Sequence, residues 1–470
     1  MKNNIFTIIA AFATVFAYAQ TPCDGGMAGG YPCNGYDMQA HFSPGQMGAS
    51  GANDSWGWTD PDDGTEYALI ALDNGTAFFD ISTPTSPVYL GKLPTHTSST
   101  IWRDVKVYNN YAFIVSEAGG HGMQVFDLTR LRDVASPPET FTEDTHYGEF
   151  GSAHNIAINE DTGYAYAVGT STFNGGYHFI DISDPLNPAA AGGYGGDGYC
   201  HDAQIVVYNG PDTDYVGQEI LFGANASIFA ITDVTDKNNP VTISSNTYPN
   251  TGYTHQGWLT EDHRYWLLGD EGDEFDFGFN TRTVVFDLLD LDNPQVLFEY
   301  FGPTPAVDHN GYVKGDKFYL ANYSASLRVV DISDIANSNM SEIGFFDDYP
   351  QNNNANYSGA WNVYPFFESG NIVISGTSGF TLVIESNLGI NDVDGLNGFE
   401  ISPNPATEYF NISSKEEPIT QIEIYNILGQ TVRNINYTET FSERIDISSL
   451  NSGLYLVKIN DLTTKRLIKK

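Results

Sequence analysis

The sequence predicts an all-β protein, a seven-bladed β-propeller followed by a small C-terminal β-sandwich. An apolar run that ends in Asp, an aliphatic residue and usually Ser or Thr recurs from TAFFDIS (76–82) to LRVVDIS (327–333). Short β-rich runs surround each copy, and helical periodicity is almost lacking. After residue 398 the pattern changes to a different alternation of apolar and polar residues. A closed repeat also suits 470 residues, which is long for one ordinary core.

The recurring acidic residue marks one strand of each repeat. Its seven positions are Asp80, Asp127, Asp181, Asp233, Asp287, Asp331 and, in the last copy, Glu385. Several copies continue into a turn with Pro, as in DISDPLNP (181–188). Because an Asp side chain can hydrogen-bond the backbone of the turn it starts, we interpret these residues as structural.

Each repeat predicts four short strands, and the Asp motif belongs to the third. In the second repeat, PETFTED (138–144) is the expected fourth strand. The seventh repeat lacks a fourth strand of its own, and YDMQAHF (36–42) could supply it and close the ring. Closure would remove the open sheet edges that invite aggregation.

The first residues, 1–19, have the layout of a secretory signal: one Lys, an apolar run and Ala17-Tyr18-Ala19 before the expected cut. Cys23 and Cys33 lie in a Gly-rich loop, and in an oxidising compartment they should pair. Cys200 is left unpaired beside His201. No later segment is long and apolar enough to span a bilayer, so the mature chain should be soluble and exported.

The charge is strongly acidic, with 59 Asp and Glu against 20 Lys and Arg and a net charge of −39. Such a field repels phosphate backbones and anionic lipid, which argues against nucleic-acid or membrane-surface partners. It is compatible with cations or a basic partner, and it also keeps an exported protein soluble.

The propeller region resembles a known family. Its LVIVD-type repeats, CDGGMAGGYPCNGYDM ahead of them and THQGWLTEDHRYWLLGDE (254–271) within them resemble the choice-of-anchor B family of exported bacterial proteins. The resemblance covers residues 20–386 and implies a propeller. It implies no settled biochemical activity.

The C-terminal region, 399–470, follows a linker at 387–398 that is rich in Gly, Asn and Asp. ISPNPATEYFNI, IEIYNILGQTV, IDISSLNSGLYLVKI and the final KRLIKK resemble, in order, the type A sorting domain of the type IX secretion system. This resemblance implies contact with that machinery and a secreted or outer-surface location. An ordinary carbohydrate-binding sandwich is the alternative for the same pattern.

Seven residue pairs align at the start of the first strand of each repeat, the strand that lines the channel of a propeller. They are Trp56-Gly57, Arg103-Asp104, His154-Asn155, His201-Asp202, His255-Gln256, His309-Asn310 and Trp361-Asn362. In one interpretation the amides and carboxylates satisfy channel backbone groups and the imidazoles fill the wall. In the other, the four histidines converge on a divalent metal and neighbouring carboxylates fix their tautomers.

These interpretations predict different functions. The first favours a secreted or surface-displayed module that binds an unidentified extracellular ligand or partner at its channel mouth. The second is a metal-dependent enzyme, in which Asp104 or Asp202 orients or acts as a general base and Arg103 contacts an anionic group. A pure adhesion scaffold would have no concentrated polar pocket. The metal-dependent enzyme requires the four imidazoles to converge within a few ångströms, whereas the structural interpretation lets them diverge into the interfaces between blades.

Two further segments are weaker candidates. GDEGDEFDFG (269–278) includes Asp270, Glu271 and Asp273, whose oxygens suit calcium, although the spacing fits no EF-hand and a solvated acidic loop is the alternative. GHGMQ (120–124) predicts His121 on a loop tip as ordinary surface.

Overall fold

The computed structural model describes residues 20–386, 399–414, 417–426, 430–460 and 463–470. The expected signal peptide and linker lie outside these residues. The chain divides into two compact units, one that ends at Glu385 and one that begins at Ser386. Both are built almost entirely of strands, which confirms the all-β prediction. The search of the described residues finds no helix that is both long and apolar enough to span a bilayer.

The first unit has seven sheets of four main antiparallel strands each, which we number as blades 1 to 7 in chain order. The innermost strand of each blade contacts that of the next, and the last contacts the first, so the blades form a closed ring. The inner strands of blades 1 to 7 are Ala52–Thr59, Arg103–Tyr108, Asn155–Asn159, Asp202–Val207, Thr254–Leu259, Gly311–Lys314 and Ala360–Tyr364.

The remaining strands follow outward from the channel. The second strands are Glu66–Leu72, Tyr111–Ser116, Tyr164–Val168, Glu219–Ala224, Tyr265–Asp270, Lys317–Asn322 and Asn371–Gly376. The third strands are Gly75–Asp80, Met123–Asp127, Tyr177–Asp181, Phe229–Asp233, Arg282–Asp287, Ser326–Asp331 and Gly379–Glu385. The outer strands are Val88–Pro94, Thr145–Tyr147, Ala189–Tyr194, Val241–Asn246, Gln295–Phe301, Ser341–Phe346 and Tyr36–Phe42.

The outer strand of blade 7 comes from the opposite end of the propeller sequence. Tyr36–Phe42 pairs antiparallel with Gly379–Glu385. Phe380 also packs on Phe79 of blade 1, with ring centroids 4.9 Å apart. Backbone pairing and aromatic packing therefore join the first and last repeats.

Apolar residues of successive blades form the core between the sheets. Phe78 of blade 1 stacks on Phe126 of blade 2 with centroids 4.7 Å apart, and Phe229 of blade 4 stacks on Trp266 of blade 5 at 5.2 Å. All four side chains are fully buried. At about 25 cal/mol per Å² of apolar surface, such contacts provide the main stabilisation of the ring.

The prediction that 138–144 forms the outer strand of blade 2 is wrong. Glu139–Thr140 pairs parallel with Val88–Pro94 of blade 1, and Thr145–Tyr147 takes the predicted place. The reason is Phe141, which packs edge-on against both Phe78 and Phe126 and holds this segment at the junction of blades 1 and 2.

The remaining short elements lie at the edges of the blades. Met27–Ala28 and Tyr31–Asn34 extend blade 6 beyond its outer strand, and the predicted Cys23–Cys33 disulfide is confirmed beside them. Cys200 is free and buried. The helical segments are Pro44–Met47, Leu128–Leu131, Phe173–Gly175, Asp273–Phe277 and Ile335–Asn337.

The recurring aspartates start turns, as predicted. In six blades the carboxylate accepts a hydrogen bond from the backbone N–H two residues later, as Asp181 does from Ser183 at 2.9 Å and Asp331 from Ser333 at 2.8 Å. Each bond satisfies a backbone donor at the exit of the third strand. Their structural interpretation is confirmed.

The described residues of the second unit form two sheets. One joins Phe399–Ser402, Tyr409–Ser414 and Ser442–Asp446, and the other has the order Thr431–Thr440, Ile419–Asn426, Gly453–Ile459, Thr463–Lys469. Buried residues that include Phe410, Ile424 and Val457 form its own hydrophobic core.

Candidate functional site

Four imidazoles form a continuous arc at one mouth of the channel. The ring centroids of His154 and His201 are 4.0 Å apart, those of His201 and His255 4.2 Å, and those of His255 and His309 4.1 Å. Trp361 continues the arc at 4.7 Å from His309. Each imidazole therefore lies against the next. Of the four, only His255 and His309, together with Glu271, bring ligand atoms within 4.8 Å of one another, so the structure does not gather all four histidines at one point.

Hydrogen bonds at Nδ1 fix the orientation of three rings. His201 Nδ1 lies 3.1 Å from the carbonyl oxygen of His255, and His309 Nδ1 lies 2.5 Å from that of Trp361. His154 Nδ1 lies 2.6 Å from Oε1 of Glu117. Because these oxygens accept hydrogen bonds, each Nδ1 carries a proton, and in the neutral ring Nε2 is then the nitrogen with the lone pair. Metal-binding histidines are prepared in the same way, through a hydrogen bond to an oxygen at the other nitrogen.

His255 differs from the other three. Both of its ring nitrogens are buried without a hydrogen-bond partner among the described residues, and only 1% of the residue is exposed. A buried polar atom without a partner costs about 1–3 kcal/mol, so such an atom needs an explanation. A bound cation would provide the missing interaction.

Glu271 brings a carboxylate to the same point. Its Oε2 lies 3.9 Å from His255 Nε2, its Oε1 lies 3.9 Å from His309 Nε2, and all three ligand atoms lie within 4.8 Å of one another. Zinc bonds of about 2.0–2.2 Å would require separations of about 3.4 Å, so modest side-chain movement would close the set. Tyr323 orients the carboxylate by donating a hydrogen bond of 2.6 Å to Oε1.

Burial sets the protonation of the cluster. It lowers the pKa of His201 and His255 well below the usual range, with nearby histidines adding to the effect, and lowers the pKa of His309 to about 3. These imidazoles are therefore neutral at neutral pH and can offer lone pairs. Burial also raises the pKa of Glu271 to about 7, so a cation that binds there competes with a proton.

The mouth opens into a cavity of about 390 Å³. Its walls combine charged and aromatic side chains, namely Trp102, Glu117, His154, Tyr199, His201, Tyr253, Glu271 and Tyr357. Of these, Trp102 is 47% exposed, so a large aromatic surface faces a ligand that enters from solvent.

The predicted amides and carboxylates lie one layer deeper and join neighbouring blades. Asp104 Oδ2 accepts from Ile156 N at 2.8 Å, and Gln256 Oε1 accepts from Gly311 N at 3.0 Å. Asn310 donates to Asn362, and Asp202 accepts from its neighbour Ala203. Asn155 lies in the same layer, against Asp202. Asp104, Gln256 and Asp202 thus bond to backbone groups, as the structural interpretation of the ring predicts, whereas Asn155 and Asn310 contact side chains.

The alignment of Trp56-Gly57 with this layer is wrong. Asp54 Oδ2 accepts from Val105 N, as Asp104 does from the next blade, so Asp54 is the equivalent residue. The shift arises from an irregularity in the pairing of the first inner strand between Ala52 and Ser55. Trp56 lies further along the channel.

The structure contradicts the surface position predicted for His121 and gives Arg103 partners inside the protein. The Arg103 guanidinium donates to the carbonyl of Leu72 at 3.0 Å and to Thr95 at 2.6 Å, and it meets His121 Nε2 at 2.9 Å. It is therefore engaged between blades 1 and 2, and its contact with an anionic group stays a prediction. His121 is fully buried there instead of lying on the surface. Burial, followed by the nearby Arg103 charge, lowers its pKa to about 4.

The acidic segment 269–278 is not a solvated loop. Asp270 and Asp273 are fully buried and Glu274 is 4% exposed. Asp270 accepts hydrogen bonds from Tyr248, Gly252 and Tyr253, and Glu271 belongs to the histidine mouth. The predicted trio Asp270, Glu271 and Asp273 therefore does not act as one set of ligands.

Sequence reasoning missed Glu117 and assigned Glu271 to another site. Each follows directly after the second strand of its blade, at Ser116 and Asp270 respectively. That position recurs in every repeat. An acidic residue at the end of a second strand could therefore have been predicted to lie at the channel mouth.

The other mouth of the channel is aromatic on one side. Its cavity of about 300 Å³ is lined by residues that include Trp56, Lys106, Gln204, Trp258, Tyr312, Tyr364 and Phe366. Lys106 Nζ lies 4.7 Å from the Trp56 ring centroid and pairs with Asp104 at 2.5 Å and with Asp54 at 3.4 Å. The aromatic wall thus already holds one ammonium group.

Comparison with known proteins agrees with this architecture. LVIVD repeats match at residues 65–95, 102–121, 150–195 and 312–348, within the ring of blades. The secretion system C-terminal sorting domain matches at residues 400–470. No curated protein matches the chain.

The chain thus contains LVIVD repeats followed by a secretion system C-terminal sorting domain. Its C-terminal domain directs export by the type IX secretion system, which gives a secreted or cell-surface protein. The predicted LVIVD repeats and the predicted sorting domain are confirmed, and the choice-of-anchor B family, which neither match names, is compatible with both.

Proposed function

We propose that this exported propeller binds a divalent transition-metal ion at the histidine mouth of its channel. The ligands are Nε2 of His255, Nε2 of His309 and the carboxylate of Glu271, with His201 next in the arc. The observation that carries the proposal is the buried, unpartnered His255 at 3.9 Å from the Glu271 carboxylate. Imidazole and carboxylate together suit first-row divalent ions such as zinc, iron or copper.

The bound ion is the point at which this module holds its extracellular ligand. Three protein ligands leave coordination positions open. All three line a cavity of about 360 Å³, which adjoins the cavity lined by Trp102, Tyr199 and Tyr253. An anionic or carbonyl-bearing ligand could bind to the ion there while Tyr199, Tyr253 and Trp102 contact its apolar part. The alternative is a metal-dependent enzyme, in which the ion would activate a bound water for attack on the ligand.

Metal analysis of the full-length secreted protein, purified without a polyhistidine tag, tests the proposal. We expect close to one equivalent of zinc, iron or copper by elemental analysis, or uptake of one equivalent of added zinc. His255→Gln and Glu271→Gln should lower zinc affinity at least tenfold. His263→Asn, in the turn at the other end of blade 5, is the matched control and should bind as the parent does.

Circular dichroism establishes that each variant is folded before its metal content is compared. A folded parent that takes up no zinc, iron or copper would contradict the proposal. So would equal zinc affinity in the parent and in folded His255→Gln.

A second candidate function, binding of a small organic cation, is favoured by the aromatic mouth. Lys106 already lies over Trp56, while the carboxylates of Asp202 and Glu160 also line this cavity. Aromatic faces and carboxylates together attract ammonium groups. We expect choline to quench tryptophan fluorescence in the parent and much less in Trp258→Ala. Its uncharged analogue 3,3-dimethylbutanol is the control, and equal effects of the two would contradict cation binding.

A further inference from the structure

A second cluster of carboxylates lies inside the protein between blades 5 and 6. The short helix Asp273–Phe277 follows the second strand of blade 5 and turns its first two residues inward. Asp273 is fully buried and Glu274 is 4% exposed, whereas Asp276 on the same helix is exposed. The helix therefore separates acids that face the interior from one that faces solvent.

Asp308 joins this cluster from blade 6, directly before His309. It is 1% exposed, and its carboxyl group lies within hydrogen-bonding reach of that of Glu274, as does that of Asp273. A Cβ atom at Gly269 would come within 2.2 Å of Asp308 Oδ2, so the glycine leaves the room in which this carboxylate lies. The buried carboxyl group of Glu274 thus lies between those of Asp273 and Asp308.

Apart from one another, five oxygens of this cluster have no hydrogen-bond donor among the described residues. They are Oδ1 of Asp273, both oxygens of Glu274 and both oxygens of Asp308. Two carboxylates cannot satisfy each other, because each can only accept. Burial of unpaired negative charge is very costly, so the oxygens must share protons or surround a cation.

The cationic side chain that the structure places nearby is already committed. Arg282 donates to Asp273 Oδ2 at 2.6 Å, to Glu299 at 2.7 Å and to the carbonyls of Pro249 and Asn250. It therefore leaves the five oxygens without a partner. One guanidinium also cannot balance Asp273, Glu274 and Asp308 together.

We infer that Asp273, Glu274 and Asp308 bind a calcium ion between blades 5 and 6. All available ligand atoms are carboxylate oxygens, and calcium accepts six to eight oxygens, with carboxylates bound through one or both oxygens. A soft transition ion would favour the imidazoles at the channel mouth. Calcium here would fix the segment that carries Glu271 and thereby hold the two faces of the mouth together.

Calcium titration of the full-length protein tests this site. We expect one equivalent of calcium to bind by calorimetry and to raise the unfolding temperature of protein treated with a chelator. Asp308→Asn and Glu274→Gln should lower calcium affinity at least tenfold. Asp276→Asn, on the same helix but exposed, is the matched control and should leave affinity unchanged.

A parallel titration in His255→Gln separates this inference from the proposed transition-metal site. Calcium should bind to this variant as it does to the parent, even where zinc no longer does. Two results would overturn the inference: no heat and no rise in unfolding temperature on calcium addition to folded parent, or an Asp308→Asn variant that is more stable than the parent with and without calcium. The second would indicate that the carboxyl groups share protons.

Discussion

The hydroxyl of Tyr323 donates a 2.6 Å hydrogen bond to Oε1 of Glu271, across the boundary between blades 6 and 5. The same oxygen faces His309 Nε2 at 3.9 Å. One phenol thus orients the carboxylate toward the imidazoles, and its hydrogen bond opposes the effect of burial on the pKa of Glu271. Tyr323 is a positioning residue for the proposed ion.

Loss of this hydroxyl should weaken metal binding and change its pH dependence. In Tyr323→Phe we expect zinc affinity to fall about tenfold, the usual effect of removing a group that orients a metal ligand. Because burial raises the pKa of Glu271 to about 7, zinc affinity should rise with pH through that value. The midpoint should move to higher pH in the variant, as measured by zinc titration at several pH values. An unchanged midpoint would contradict the positioning role.

The buried imidazole of His309 should destabilise the fold in acid. Its pKa is about 3 in the folded protein, against an ordinary value of 6.5, so the unfolded chain binds the proton more tightly. The contribution of the neutral ring to stability is therefore complete above pH 6.5 and is lost progressively toward pH 3. Below pH 6.5, the stability advantage of the parent over His309→Gln should shrink by about 1.4 kcal/mol per pH unit. Urea unfolding of both proteins at pH 7, 6 and 5 measures it, and a constant difference would contradict the burial effect.

Arg103 should matter for stability and leave metal binding unchanged. Arg103→Met removes donors to Leu72 and Thr95 and the contact with His121, all in a buried region. We expect a loss of about 3 kcal/mol in the free energy of unfolding, since buried acceptors are left without partners. Urea unfolding and zinc titration check the two halves of this prediction. A stable variant with lost zinc affinity would place Arg103 in the site instead.

The turn aspartates should each contribute modestly to stability. Asp181→Ala removes acceptors for both Ser183 N at 2.9 Å and Ser183 Oγ at 2.6 Å. We expect a loss of about 1 kcal/mol, the usual value for one intramolecular hydrogen-bonded cap. Thermal or urea unfolding measures it, with Asp184→Ala in the same turn for comparison. A cost above 4 kcal/mol would indicate a role beyond the turn.

Repetition explains which features the sequence could predict. The Asp motif recurs with one backbone role, so strand order, turn chemistry and the four histidines follow from comparing one repeat with the next. The register of blade 1 could not be predicted in this way, because the irregularity between Ala52 and Ser55 shifts the equivalent residue from Trp56 to Asp54. A local change in pairing leaves no periodic signal.

Burial of polar groups was the harder problem. His121 and Asp308 are polar residues whose neighbours in sequence do not predict burial. In the structure His121 contacts Arg103 and Asp308 contacts Glu274, and neither pair is adjacent in sequence. The same holds for Glu271, whose neighbours are acidic and suggest solvent exposure. Only the packing of one blade on the next places these groups in the interior.

The pairing of Tyr36–Phe42 with Gly379–Glu385 makes completion of the ring an all-or-none event. When the chain is exported as an extended polypeptide, from either end, blade 7 keeps an unpaired edge until both of these strands have crossed the membrane. Such an edge is a template for pairing with other chains, so a protein truncated before residue 385 is expected to aggregate. Ring closure therefore requires a chain that contains both strands. The histidine mouth needs blades 3 to 7 in place, so it forms only in molecules whose ring has closed.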